Sequence, residues 1–434
     1  VNDPIDVRND DAPEELVLGA SFDTPLSLPG KFPLPIKLLI LLLGSMAALG
    51  PLAIDMYLPS FPTIAAEFHI SVAEVERTLA IYFIGLSFGQ LIYGPASDRF
   101  GRKAPLYAGL TMFIVASAGC ALARDVHALI VMRALQALGG CAEMVVARAI
   151  IRDRFDPRDA TRVFSSLMLI MGVAPILAPL LGGWLIVHAG WRAIFCLQGI
   201  VAAICLANVA LFLPESLAPE RRDRNGVFET LALYWRLLGH RSFMANTMSV
   251  SFICAGLFAY IGGSPFVFIQ LFGVRQQHFG FFFGINAVGL IAASQINGRV
   301  AQSVPLARIL RAALVVTAIS GCVLFADAAG HVGGFPGILI PLWCFVASLG
   351  FVFPTSTALA MASQGRNAGN ASAVLGCMQF FIGGLSGMLV SSLDNGTALP
   401  MCGLIAGAGV AAMLANRFAS ADESFDTAEP ILVE

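Results

Sequence analysis

Residues 94–103 read GPASDRFGRK, and they join two long apolar runs, 77–97 and 104–123. Each run is close to the ~20 residues that a helix needs to cross the ~30 Å hydrocarbon core of a bilayer. The join is short, so the two helices are antiparallel neighbours, and Gly94 and Gly101 allow a tight turn between them. Asp98, Arg99, Arg102 and Lys103 crowd charge into that turn, on the water side of the boundary.

Working outward, the same alternation of apolar run and polar join fills the chain. Of the 434 residues, 57% are hydrophobic and only 12% charged, about half the ~25% charge of a soluble domain. Runs of spanning length fall at 37–58, 77–97, 104–123, 126–148, 162–187, 192–213, 243–271, 278–298, 307–327, 335–361, 369–393 and 397–417. They are twice the length of a barrel strand and do not alternate, which excludes an outer-membrane barrel. The longest polar break, 214–242, contains Arg221, Arg222, Asp223 and Arg224 and divides the runs six and six. The expected organisation is a polar tail (1–36), a six-helix half (37–213), a linker (214–242), a second six-helix half (243–417) and an acidic tail (418–434). The expected fold class is therefore all-α and integral to the membrane, with twelve transmembrane helices in two pseudo-symmetric halves.

Orientation follows from the distribution of Lys and Arg. With both termini cytoplasmic, the inner loops hold Arg99, Arg102, Lys103, Arg148, Arg152, Arg154, Arg158, Arg162 and the arginines of the linker. The outer loops hold only Arg77, Arg124, Arg192 and Arg275. The first 35 residues are acidic and do not resemble a cleavable secretory signal. The nine cysteines lie in apolar stretches with no CxxC pair, so they read as packing residues. No nucleotide-binding loop, zinc-protease motif or nucleophile elbow is present. The net charge of -2 gives no basic balance for nucleic acid. The reading is a polytopic membrane protein, not an enzyme, with no cofactor or metal expected.

GPASDRFGRK has the Gly-x-x-x-Asp-Arg-x-Gly-Arg-Lys spacing of the loop between helices 2 and 3 of the major facilitator superfamily, and the chain resembles that family over roughly 37–417. LAIDMYLPSFPTIAAEF (52–68), RALQALGG (133–140), APILAPLLGG (174–183), AYIGGSPFVF (259–268) and NASAVLGCMQF (370–380) resemble its Bcr/CflA branch of drug:proton antiporters. Ala178 stands where the helix 5 antiporter motif has its first glycine, and Ala137 follows Gln136 where many members have glycine. The resemblance implies Pro175, Pro179, Gly182 and Gly183 as the bending and sealing residues of helix 5. It implies Gly94, Asp98, Arg99, Gly101, Arg102 and Lys103 as a gating loop, in which Asp98 sits at a helix N-terminus. It also implies a monomer in the bacterial inner membrane.

Three ionisable residues stand out well inside spans: Asp55, Arg133 and Glu143. Each costs roughly 2.5–3.5 kcal/mol on insertion scales, so each needs a partner and has a task. Asp55 is eighteen residues after Lys37 and is placed towards the outer end of span 1, at a depth comparable to Arg133 in span 4. The expectation is that Asp55 exchanges the proton and Arg133 tunes it, because a nearby cation favours the ionised carboxyl. Glu143, ten residues after Arg133, falls on another face, as a second proton site, a cation-binding carboxylate or a snorkelling partner of Arg148. Tyr57, Tyr82, Gln90, Gln136, Tyr260, Phe266 and Gln379 are the candidates to line a central substrate cavity. The expected function is proton-coupled efflux of small amphipathic drugs of phenicol, bicyclomycin or sulfonamide type. The alternative is a transporter of a metabolite such as an amino acid or sugar.

Overall fold

The computed structural model describes residues 36–417 except 156, 223–226, 363 and 365–367. The two expected tails, Arg366 and part of the linker lie outside the described residues. All regular structure within them is helical, and twelve helical stretches are long and apolar enough to cross a membrane.

The first crossing is broken. Helix α1 (Ile36–Ile54) ends in a turn, a 3-10 turn follows at Leu58–Ser60, and α2 (Phe61–Phe68) completes the crossing. Pro59 at the start of the 3-10 turn and Pro62 at the start of α2 suit helix beginnings and cannot continue a helix from before. The first half continues with α3 (Val72–Phe100), α4 (Lys103–Ala121), α5 (Val126–Arg154), α6 (Pro157–Ala189) and α7 (Arg192–Phe212). A short helix, α8 (Val227–Leu238), lies in the linker. The second half comprises α9 (Arg241–Pro265), which runs on as a π-helical turn to Leu271, then α10 (Gln276–Val300), α11 (Leu306–Gly330), α12 (Gly334–Ala362), α13 (Ala368–Ser392) and α14 (Leu399–Arg417).

Between apolar helices in lipid, association rests on close packing and small residues, because the surrounding tails are as apolar as the side chains. Gly85 faces Ala137 and Gly89 faces Cys141, drawing α3 onto α5. Gly109 and Gly139 bring α4 onto α5 backbone to backbone. The two halves meet most extensively through two helix pairs, α3 with α13 and α6 with α10. Large apolar side chains such as Leu41, Val115, Leu211 and Ile340 remain on the outside, where they suit lipid. All nine cysteines are free.

Two details differ from the sequence reading. Gly94 is inside α3 and not in a turn; only Gly101, with φ +86°, forms the corner. Asp55 is not near the end of the first crossing but at its break, about midway along Leu39–Phe68.

Candidate functional site: a polar cluster at the α1 break and a charged loop

A helix that stops inside a membrane leaves its last carbonyls without donors. Here the donors come from neighbouring helices. Arg133 of α5 donates from Nη1 to the Ala53 carbonyl at 3.0 Å and to Gln136 Oε1 at 2.7 Å. Gln198 of α7 donates to the Leu52 carbonyl at 3.0 Å and accepts from Gln136 Nε2 at 2.9 Å. Gln136 also donates to Ser117 Oγ of α4 at 2.8 Å. The positive Arg133 thus sits at the negative end of the α1 dipole. Its guanidinium carbon lies 4.1 Å from the Tyr82 ring centre and 4.7 Å from that of Tyr57, a cation–π pocket out of water. Nε and Nη2 of Arg133 have no hydrogen-bond partner.

Asp55 follows this capped end directly and is buried. Among the described residues no ion pair joins it to Arg133, so the expected direct contact is replaced by the shared backbone at 53–55. Asp55 instead lies within electrostatic range of Tyr260 on α9, in the other half. Tyr260 Oη accepts from Asn286 Nδ2 of α10 at 3.0 Å, and Asn286 Oδ1 is buried without a donor. Glu143 is also buried, its carboxyl approaches the backbone of Gly50 on α1, and its Oε2 has no partner. Arg148 is exposed and donates to the Met144 carbonyl, so it is not a partner of Glu143. Arg133 and Glu143 both turn towards α1; a ten-residue step leaves them about 80° apart, close enough to share that side.

The charged loop is organised around Arg102, not Asp98. Arg102 is 2% exposed and pairs with Asp98 at 2.6 Å and Asp153 of α5 at 2.7 Å. It also donates to Ser97 Oγ at 2.9 Å. Burial would lower its proton affinity, but these bonds to Asp153 and Asp98 outweigh it and hold the guanidinium charged. Asp98 lies in the last turn of α3, at a C-terminal end and not at the expected N-terminus, and its cation is four residues on. Glu215, just beyond α7, caps the start of α4 by accepting from the Arg102 and Lys103 amides at 2.8 and 3.2 Å. Arg154 donates to the Glu215 carbonyl at 2.7 Å. A Cβ on Gly101 would meet Glu215 Oε2 at 2.6 Å, and φ +86° with ψ 172° is a conformation essentially reserved for glycine. Arg99 sits over Phe100, and Lys103 over Tyr107.

On α6, Pro175 and Pro179 are within the helix. A side chain at Gly182 would strike the Met56 carbonyl at the α1 break, and one at Gly183 would lie 2.9 Å from the Gln276 carbonyl of α10. The helix 5 glycines therefore set two backbone approaches, one inside the first half and one between halves. The substrate-cavity candidates separate. Tyr57, Tyr82 and Gln136 belong to the Arg133 cluster, with Tyr57 Oη bonded to Thr78 at 2.8 Å. Gln90 donates to Met144 Sδ and packs under Gly376 of α13. Gln379 is half-buried on α13. Phe266 lines a small cavity at the far end of the bundle from Gly101. In this conformation recesses of about 570 and 320 Å³ lie on the outer faces of α4–α5 and of α6, α10 and α12, and none of the seven candidates lines them. Gln198, Ser117, Asp153, Glu215 and Asn286 do not stand out in the sequence reading; Asp153 lies between Arg152 and Arg154, and Glu215 follows Pro214 at the end of an apolar run, signals that could have marked them.

A two-part helical bundle with a polar cluster buried in one half describes a polytopic membrane protein, and its family, not its architecture, makes it a transporter and not an enzyme. The Major Facilitator Superfamily is matched over residues 43–391, and the chain belongs to that family. It is 38% identical over 365 residues to an uncharacterized MFS-type transporter, YdgK, of Bacillus subtilis, covering 84% of this chain and 90% of the relative. It is 31% identical over 382 residues to a bicyclomycin resistance protein homolog of Haemophilus influenzae, covering 87% and 95%. A chloramphenicol resistance protein of Pseudomonas aeruginosa is 28% identical over 377 residues, covering 83% and 86%. The crystal structure of a D-xylose-proton symporter shares the fold, with a TM-score of 0.71 at 15% identity over 89% of this chain and 97% of that one.

Proposed function

We propose that the chain exports small amphipathic drugs across the bacterial inner membrane by alternating access, in exchange for protons, with the Gly101 end and both termini cytoplasmic. The observation that carries this reading is a pair of buried carboxyls, Asp55 and Glu143, beside the α1 break, neither joined to a cation among the described residues. A carboxyl in that setting can hold or give up a proton only as water or a cation gains access to it. Movement of the second half against Asp55 changes that access, which links proton binding to conformation. Arg133 holds the broken end of α1 in place while this happens. Relatives named for bicyclomycin and chloramphenicol resistance support the drug class, and Asn286 Oδ1 is an acceptor free for a hydroxyl or amide of the cargo.

The test uses everted membrane vesicles that hold a respiration-generated proton gradient, read by a pH-sensitive dye. Addition of a phenicol, a sulfonamide or bicyclomycin is expected to collapse the gradient in wild type and not in Asp55→Asn. No response to any of them, with a response to an amino acid or sugar, would replace drug efflux by metabolite transport.

A further inference from the structure

At the end of the bundle opposite Gly101, the halves are latched by polar contacts. Ser391 of α13 donates to the Ala73 carbonyl of α3 and accepts from Arg77 Nε at 3.1 Å. Gln276 of α10 donates to Thr63 of α2 at 3.0 Å. Behind this latch is a water-sized cavity of about 10 Å³, the least that holds one water. Its walls come from both halves: Ala73 and Glu76 of α3, Gly263, Phe266 and Val267 around the end of α9, and Asp394, Thr397 and Met401 around the start of α14.

Glu76 is 5% exposed. No cation pairs with it among the described residues. Its neighbour Arg77 is turned to Ser391, Glu74 belongs to the first turn of α3 beside the Ser71 cap, and Glu67 is held by Trp191 and Arg192. The residues that α9, its π-helical turn and α14 present to the cavity carry no charge, so the one ionisable group facing Glu76 across the junction is Asp394. Closing this end therefore moves a carboxyl out of water and towards a second carboxyl.

We propose that Glu76 is a proton-binding site of the external gate: closure of this end takes up one proton from the outside, and ionisation of Glu76 reopens it. The proton enters and leaves on the same side, so this site adds nothing to net transport. It makes the gate close more readily when the outside is acidic, the condition under which an antiporter must return with its proton. This assignment of sides rests on the proposed function.

The test measures the distance between spin labels at Arg124→Cys and Val332→Cys, exposed positions on loops of opposite halves at this end. The chain has its native cysteines replaced and sits in lipid nanodiscs without drug. Between about pH 5 and about pH 8 the separation is expected to widen with pH in the otherwise native chain. Glu76→Gln should lose the widening, and Asp394→Asn should reduce it, because removing the facing charge lets an ionised Glu76 stay in the closed form. A separation that does not change with pH, or an unaltered profile in Glu76→Gln, overturns the proposal. If Glu76→Gln does not fold, an unaltered profile in Asp394→Asn does so, since that substitution keeps an acceptor oxygen for the Gly396 amide. The readout needs no substrate, so it stands or falls separately from the vesicle experiment.

Discussion

Gln198 lends one side-chain amide to two tasks, donating to the Leu52 carbonyl and accepting from Gln136. Alanine there leaves the Leu52 carbonyl without its donor and one N–H of the Gln136 amide without its acceptor, in a medium that offers no water, while Ser117 keeps the other N–H. The expected loss is about 1–3 kcal/mol, seen as a lower midpoint of thermal unfolding in detergent, while Gln198→Glu should recover part of it through the Gln136 donor. An unchanged midpoint in Gln198→Ala would mean that lipid or water already satisfies Leu52. At this scale the sequence marks the charged residues well, because a charge inside an apolar run stands out against its neighbours. Asp55, Arg133 and Glu143 are all buried, although Asp55 sits at the break of the first crossing and not at its outer end. It cannot pair them: Arg133 turns to a carbonyl, and every residue has one. Glu76 escapes notice because it precedes the apolar run 77–97 by one position, whereas the helix begins at Val72 and takes it inside.

At the scale of elements, the number of crossings is legible because each span needs a fixed length of apolar sequence, and twelve are present. The join 94–103 reads as a tight turn with two hinge glycines, yet one glycine serves, because α3 carries on through Pro95 to Phe100. What stabilises the join comes from afar in sequence, from Asp153 and Glu215, and spacing within the motif cannot show that. Burial raises the Glu215 carboxyl, but amide donation from Arg102, Leu217, Lys103 and Ser216 outweighs it and leaves the group below its ordinary value of 4.5. A carboxyl with a depressed folded value stabilises fully above its unfolded value and loses that contribution as pH falls through the folded one. Wild type should therefore unfold at a higher temperature than Glu215→Gln at neutral pH, and the gap should shrink as the buffer is taken below 4.5. A gap independent of pH would assign the capping to shape alone.

At the scale of the molecule, the two junctions between halves are built alike. On α6, Gly183 meets the backbone at the start of α10; on α13, Gly384 and Gly387 meet the Ala80 backbone of α3, and Phe83 stacks on Phe258 with centres 3.9 Å apart. The echo between APLLGGWL (178–185) and GGLSGMLV (383–390) is thus a repeated device: small residues placed where one half must close on the other. Small residues inside a half only set its packing, but those at a junction must separate and return in every cycle of alternating access. Gly384→Val distinguishes the two. Its Cβ would come 2.7 Å from Ile84 and 3.0 Å from the Ala80 carbonyl, and the backbone side of that contact cannot yield. Each half should still fold, with an unfolding midpoint near that of wild type, but the end carrying Glu76 should stay open. A cysteine at Val390, on the wall of the cavity and 5% exposed in the closed form, should then react with an impermeant maleimide added outside cells. Wild type should be slower to label, and drug-driven proton release should fall to background in the valine variant. Normal transport in Gly384→Val, or equal labelling in both, would mean that this junction does not open during the cycle.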